Sequence, residues 1–261
     1  STLDLGAWVA KTATGTYQTA TVTLDGPSSW TNGTAAGTFA STGLPGNTLG
    51  AHDGSYTISN VATVAIHNFR GDIDINAGVT TFTGNNIVRA AIDGATDLVT
   101  GTFTMIRDND PILTAGQVAD LGESLQNTDQ NLLFTNAHAK LATVTVTGKV
   151  GDVKFTSVPV LATVDLTGAA AFDVMASGNS TLNSWTDAAS AEDRTFINND
   201  MMSSVNLSAT TTLSNATDKS KTLEVSGNSE LASLTLGMSN ISTLNITDNA
   251  KLASISGASL T

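Results

Sequence analysis

One segment of the chain comes round twice. Leu141-Ala142-Thr143-Val144-Thr145-Val146-Thr147-Gly148 returns twenty residues later as Leu161-Ala162-Thr163-Val164-Asp165-Leu166-Thr167-Gly168. A repeat of this length constrains the fold more than any other feature. Each copy is a unit too small to bury its own apolar side, so copies must stack on one another. Between the two lies Val150-Gly151-Asp152-Val153-Lys154-Phe155, with the same apolar spacing at a half-period. Nearer the C-terminus, Leu231-x-x-Leu234-x-Leu236 is followed by Ile241-x-x-Leu244-x-Ile246 and then Leu252-x-x-Ile255. Units ten or eleven residues apart predict a coil of about twenty-one residues, with two strands to the turn.

In this cadence the last two apolar residues are two apart and share one face of a strand, while the first turns the corner inward. Thr, Ser and Asn then point outward or occupy corners, where Asn tolerates left-handed backbone geometry; Asn228, Asn240 and Asn249 fall at such corners. β-Branched Thr and Val suit long in-register sheets. The expectation is a mostly β protein, with a β-solenoid-like stack of short strands over 141–261 that continues beyond the fragment. A sandwich of short antiparallel strands is the alternative. Residues 1–60 form a β-rich N-terminal region of short alternating runs and Gly-rich turns, and 61–140 a strand-rich region in which the solenoid rhythm starts.

One interruption is helical in spacing. Thr114 with Gln117 makes a capping box, and Val118, Leu121 and Leu125 follow at intervals of three and four, so one short helix is expected near 114–126. The polar stretch 186–200 reads as an insertion loop, and Ser208–Lys221 as a linker.

Composition then narrows the partners. Of 261 residues, 67 are Ser or Thr and 21 are Asn, while charged residues make up 13% and the net charge is −12. An acidic chain without clustered Lys or Arg does not bind nucleic acid. No apolar run reaches the ~20 residues of a transmembrane segment. With no cysteine there are no disulfides, thiolate metal sites or cysteine nucleophiles. Few charges, no cysteine and no initiator Met together predict an extracellular, cell-surface location and a processed piece of a longer protein. Six Asn-x-Ser/Thr sequons are no more than this composition yields by chance.

Little in the chain carries catalytic chemistry. His52, His67 and His138 have no metal-ligand spacing and read as surface or corner residues. Asp72 and Asp74 alternate with Ile73 and Ile75, which puts both carboxylates on one outer face as an acid/base pair, a cation site or simply a solvated strand. Asp108-Asn109-Asp110 is the densest oxygen-bearing turn and a candidate calcium site; an Asx-rich turn into the helix is the plainer reading. Calcium is the cofactor such a chain would take. Trp8, Trp30 and Trp185 are scattered, with no stripe for stacking sugars.

The L-A-T-V-T-V repeats, with abundant Thr, Ser, Ala, Gly and Asn, few Lys and Arg and no Cys, resemble prokaryotic surface-layer (S-layer) proteins and β-solenoid surface adhesins. The cadence at 231–255 also resembles bacterial leucine-rich-repeat surface proteins, without their strict asparagine ladder or helical segments. These resemblances imply a structural protein that self-assembles as a homo-oligomer, surface lattice or filament, often with calcium, and with adhesion or surface polysaccharide as further possibilities. Two alternatives stand beside it: a virion or phage structural protein, and a carbohydrate-binding or polysaccharide-cleaving β-solenoid.

Overall fold

The computed structural model of the chain describes residues 21–25, 29–31, 55–69, 72–87, 89–105, 131–171, 173–188, 190–191, 193–207, 211–212, 222–237, 241 and 243–257. All regular structure among them is strand, and every strand pairing is parallel. The predicted helix at 114–126 lies outside the described residues. So do the Asp108-Asn109-Asp110 turn, His52 and the expected corner Asn240.

The architecture is a β-solenoid. One ladder runs in register through Thr63, Thr81, Thr100, Thr143, Thr163 and Ser184. A second runs through Leu132, Val153, Val174, Arg194, Leu223 and Leu244. Neighbouring positions such as Thr143 and Thr163 are 20 residues apart, and Val153 and Val174 are 21, the period read from the repeat. The sandwich is excluded, because antiparallel hairpins would reverse every second strand. A middle coil carries three short strands: Thr163–Asp165, Ala169–Ala170 and Asp173–Ser177. Parallel pairing also crosses residue 60, with Thr21–Asp25 on Ser55–Ser59 and the latter on Asp72–Ile75.

Two steps of the ladder are longer. Thr100 and Thr143 are 43 residues apart, and Arg194 and Leu223 are 29. The surplus lies between Met105 and Asn131 and between Leu207 and Thr222; the stretch read as a linker, 208–221, holds the short strand Thr211–Thr212, which pairs with Ser190–Ala191. The strand register is the same on either side of both steps.

The stretch 186–200 is not an insertion loop. It contains Ser190–Ala191 and Asp193–Ile197, a full strand of the second ladder with alternating burial. Its rhythm is hidden because an arginine, Arg194, stands at an inward position otherwise held by Val174 and Leu223.

Alternation fills the core. In Thr100–Met105 and Asp173–Ser177 every second residue is buried, as period-2 geometry requires. Aromatic side chains from successive coils meet in the core as a file, in register at Phe134 and Phe155 and opposite small or aliphatic residues such as Gly101, Val146 and Ala176 elsewhere. Phe82, Phe103, Phe134, Phe155, Trp185 and Phe196 succeed one another with ring centroids 4.8–6.1 Å apart. Phe134 and Phe155 are stacked, 4.8 Å apart and 4° from parallel. Trp185 is thus core and offers no platform to a sugar.

The corners hold an asparagine ladder, contrary to the reading of the leucine-rich cadence. Asn179, Asn199, Asn228 and Asn249 occupy the same corner of successive coils, spaced 20, 29 and 21 residues apart. The uneven middle step breaks the period in sequence. Each Oδ1 accepts the backbone N–H of the equivalent residue one coil back: Val158 to Asn179 at 3.0 Å, Asn179 to Asn199 at 3.2 Å, Asn199 to Asn228 at 3.0 Å, and Asn228 to Asn249 at 3.0 Å. Each Nδ2 donates to a strand carbonyl of the preceding coil, namely Phe155, Ala176, Phe196 and Val225.

The residue before each rung is left-handed: Gly178, Asn198, Gly227 and Asp248, with φ of 54–68°. At Gly227 the requirement is double, since a Cβ would also collide with Asn198 Oδ1. Asn179 opens a sequon but has no exposed surface, so the folded chain offers no glycan acceptor there.

Candidate assembly surfaces and polar stacks

Asp74 lies on the strand Asp72–Ile75, half-buried, between the fully packed Ile73 and Ile75. Outward placement agrees with the alternation read from sequence. Asp72 shares that strand, and the strand bridges onward from Asp74 to Ala91. Among the described residues no group of three or more His, Asp or Glu side chains gathers in a way that could hold a metal ion.

His67 lies in the strand Thr63–Phe69. His138 is a corner residue, as expected, but a buried one. Its Nδ1 accepts the Thr135 N–H at 2.9 Å, so its Nε2 carries the proton and donates to the Ile92 carbonyl at 2.9 Å. It does for its corner what asparagine does further along.

The polar stacks with more pronounced electrostatics were not singled out in the sequence. Asp173 pairs in register with Asp193, and Asp152 stands at the same place one coil earlier, next to the Val153–Val174 pair. Lys154 Nζ lies 2.6 Å from Asp152 Oδ2 and 3.9 Å from Asp173 Oδ2. Asp193 Oδ1 accepts the Thr222 N–H at 2.6 Å. Asp173, between two like charges, has its pKa pushed up from 3.8 to about 6, chiefly by burial and then by Asp152 and Asp193. Its Oδ1 is buried without a hydrogen-bond partner among the described residues. The signal was legible in principle: the three aspartates are spaced by the coil period.

The second stack is inside. Arg194 has no exposed surface, and its Nε lies 2.6 Å from Asp187 Oδ2. Trp185 Nε1 donates to Asp187 Oδ1 at 3.3 Å. Burial raises the Asp187 pKa against the opposing pull of Arg194. An ion pair placed in an apolar file costs desolvation that its attraction only partly offsets. Its evident effect is to bind the strand Asp193–Ile197 to the turn that precedes it.

The coil carrying the strands Thr243–Thr247 and Ser254–Gly257 differs from those before it. Ile241, Leu244, Ile246 and Leu252 pack on the core from one side only, and Ile255 is 53% exposed. One coil earlier Leu223, Val225, Leu231, Leu234 and Leu236 are at most 4% exposed. Nothing among the described residues pairs with the outer edges of its two strands. Among the described residues no helix is long and apolar enough to cross a membrane.

Comparison of the chain with protein-family models, with curated proteins and with solved structures finds no match.

Proposed function

We propose that this chain is a non-catalytic structural protein of the cell surface, outside the cell, that self-associates into a lattice or filament. The observation that carries the reading is the in-register parallel stack itself, a repeat whose strand edges can recruit another copy, with Ile255 as an exposed apolar side chain to probe the contact. A repeated, low-charge stack of in-register parallel strands supports packing rather than turnover as its mode of action. Calcium is proposed as an assembly cofactor, with the Asp108-Asn109-Asp110 turn as its candidate ligand set.

The test is negative-stain electron microscopy with light scattering, in calcium and in chelator, on the native chain and on Ile255→Lys. Ordered sheets or filaments that Ile255→Lys prevents support the reading. Dissolution by chelator assigns calcium a role, and indifference removes the metal while leaving assembly. A native chain that stays monomeric in both conditions overturns the proposal.

A further inference from the structure

Three adjoining strands, Thr81–Ile87, Thr100–Met105 and Thr143–Lys149, carry outward threonines, two on the first and three on each of the others, where Thr147 Oγ1 donates to Thr104 Oγ1 at 3.1 Å. Thr81, Thr100 and Thr143 pair in register, as do Thr83, Thr102 and Thr145. All six are half-buried by one another, while the residues between them, Phe82, Gly101 and Val144, face the core. Parallel strands lie ~4.8 Å apart, and side chains two residues apart on a strand are ~6.6 Å apart. The six threonines therefore form a two-dimensional net of hydroxyls and methyls. β-Branching restricts χ1, so these side chains lose little entropy on contact. None of the six hydroxyls hydrogen-bonds another described residue.

A net of this kind selects its partner by chemistry and by period. In a chain of net charge −12, none of these six positions bears a charge, which fits a neutral partner. A dissolved small molecule would meet only one or two threonines; the whole net is used only by a surface repeating on the same scale in two directions. The prism face of hexagonal ice has two such repeats, of water oxygens. Methyls between the hydroxyls order the adjoining water as a cage that can merge with that lattice. Crystalline polysaccharide is disfavoured because the aromatic residues of these strands, Phe82 and Phe103, are fully buried. We propose that this threonine face is an ice-binding surface.

The experiment uses the native chain, with fold checked by circular dichroism. It measures thermal hysteresis and the fraction captured in slowly grown ice, and adds a pull-down on insoluble cellulose and chitin. The native chain is expected to enter the ice and hold a hysteresis gap. Thr102→Lys, at the centre of the net, is expected to lose both, and Thr102→Val to weaken them while leaving the fold intact. Thr195→Lys, on the strand Asp193–Ile197 of the other ladder, is expected to leave both unchanged. A folded native chain with neither hysteresis nor ice capture overturns the proposal. Ice activity that Thr102→Lys leaves intact, or binding to cellulose or chitin in place of ice, overturns it equally.

Discussion

Replacing Asn199 with alanine tests whether the corner ladder holds the coils together. Asn199 is fully buried. Its Oδ1 accepts from Asn179 N at 3.2 Å and Asn179 Nδ2 at 3.0 Å, and its Nδ2 donates to Ala176 O at 2.9 Å and Asn228 Oδ1 at 3.2 Å. After truncation Asn179 Nδ2 still reaches Phe155 O, and Asn228 Oδ1 still accepts Asn199 N–H. The Asn179 N–H and one bond to the Ala176 carbonyl are lost where water does not reach. Each buried group left so costs about 1–3 kcal/mol, which sums to about 4 kcal/mol. For a chain of this size that is a fall in Tm of about 8–16 °C.

The control is Asn249→Ala, at a rung only partly buried. Water can replace the lost partners there, and the expected cost is about 1 kcal/mol. Urea titration followed by circular dichroism reads both variants. An Asn199→Ala cost no larger than that of Asn249→Ala would refute the reasoning, since burial of the rung is the whole source of the difference.

Further outcomes follow from the other stacks. Arg194→Leu leaves Asp187 buried without its cation and is expected to cost about 3–5 kcal/mol; adding Asp187→Asn, which keeps an acceptor for Trp185, recovers most of it in denaturant titration. The pKa of Asp173 is raised on folding, so the folded chain holds this proton more tightly than the unfolded one, and stability is lost as pH rises from about 4 through about 6. The full gap from 3.8 to about 6 is worth about 3 kcal/mol, reduced by partial solvent exposure to about 1–2 kcal/mol. Asp173→Asn is therefore expected to stabilise the chain at pH 7.5 and to change nothing at pH 3, read by urea midpoints at the two values. Phe155→Ala opens the aromatic file where two rings stack and is expected to cost about 3–5 kcal/mol in the same assay.

The parts of this fold that were legible are those in which periodicity survives substitution. Leu141 and Leu161, or Leu231 and Leu252, announce the coil because apolar residues recur at a spacing the backbone imposes. The strand at 193–197 was hidden by one residue, since an arginine at an inward position erases the alternation until its buried partner Asp187 is known. The ladder was half visible: Asn228 and Asn249 stood out as corners, whereas Asn179 and Asn199 were separated from them by the 29-residue step. The Asp152–Asp173–Asp193 column obeys the same period. It went unseen because polar residues, unlike apolar ones, are not ordinarily read as a column. The threonine net posed the reverse difficulty. Its residues were obvious as strand formers, and only the register showed that they share one face.

The asparagine spine also has a direction. From Val158 to Asn228 each backbone N–H donates toward the C-terminal side, into the Oδ1 of the next rung, while each Asn Nδ2 also donates back to the preceding coil. The N–H···Oδ1 bonds align head to tail and polarise one another, as in a helix. The spine is therefore polar, each rung turning its N–H to the C-terminal coil and its Oδ1 to the N-terminal one. Two like ends brought together would oppose their dipoles, whereas unlike ends continue the file. Association along this axis thus favours the heterologous, non-closing arrangement, whose natural product is a growing fibre with a plus and a minus end and not a two-fold dimer.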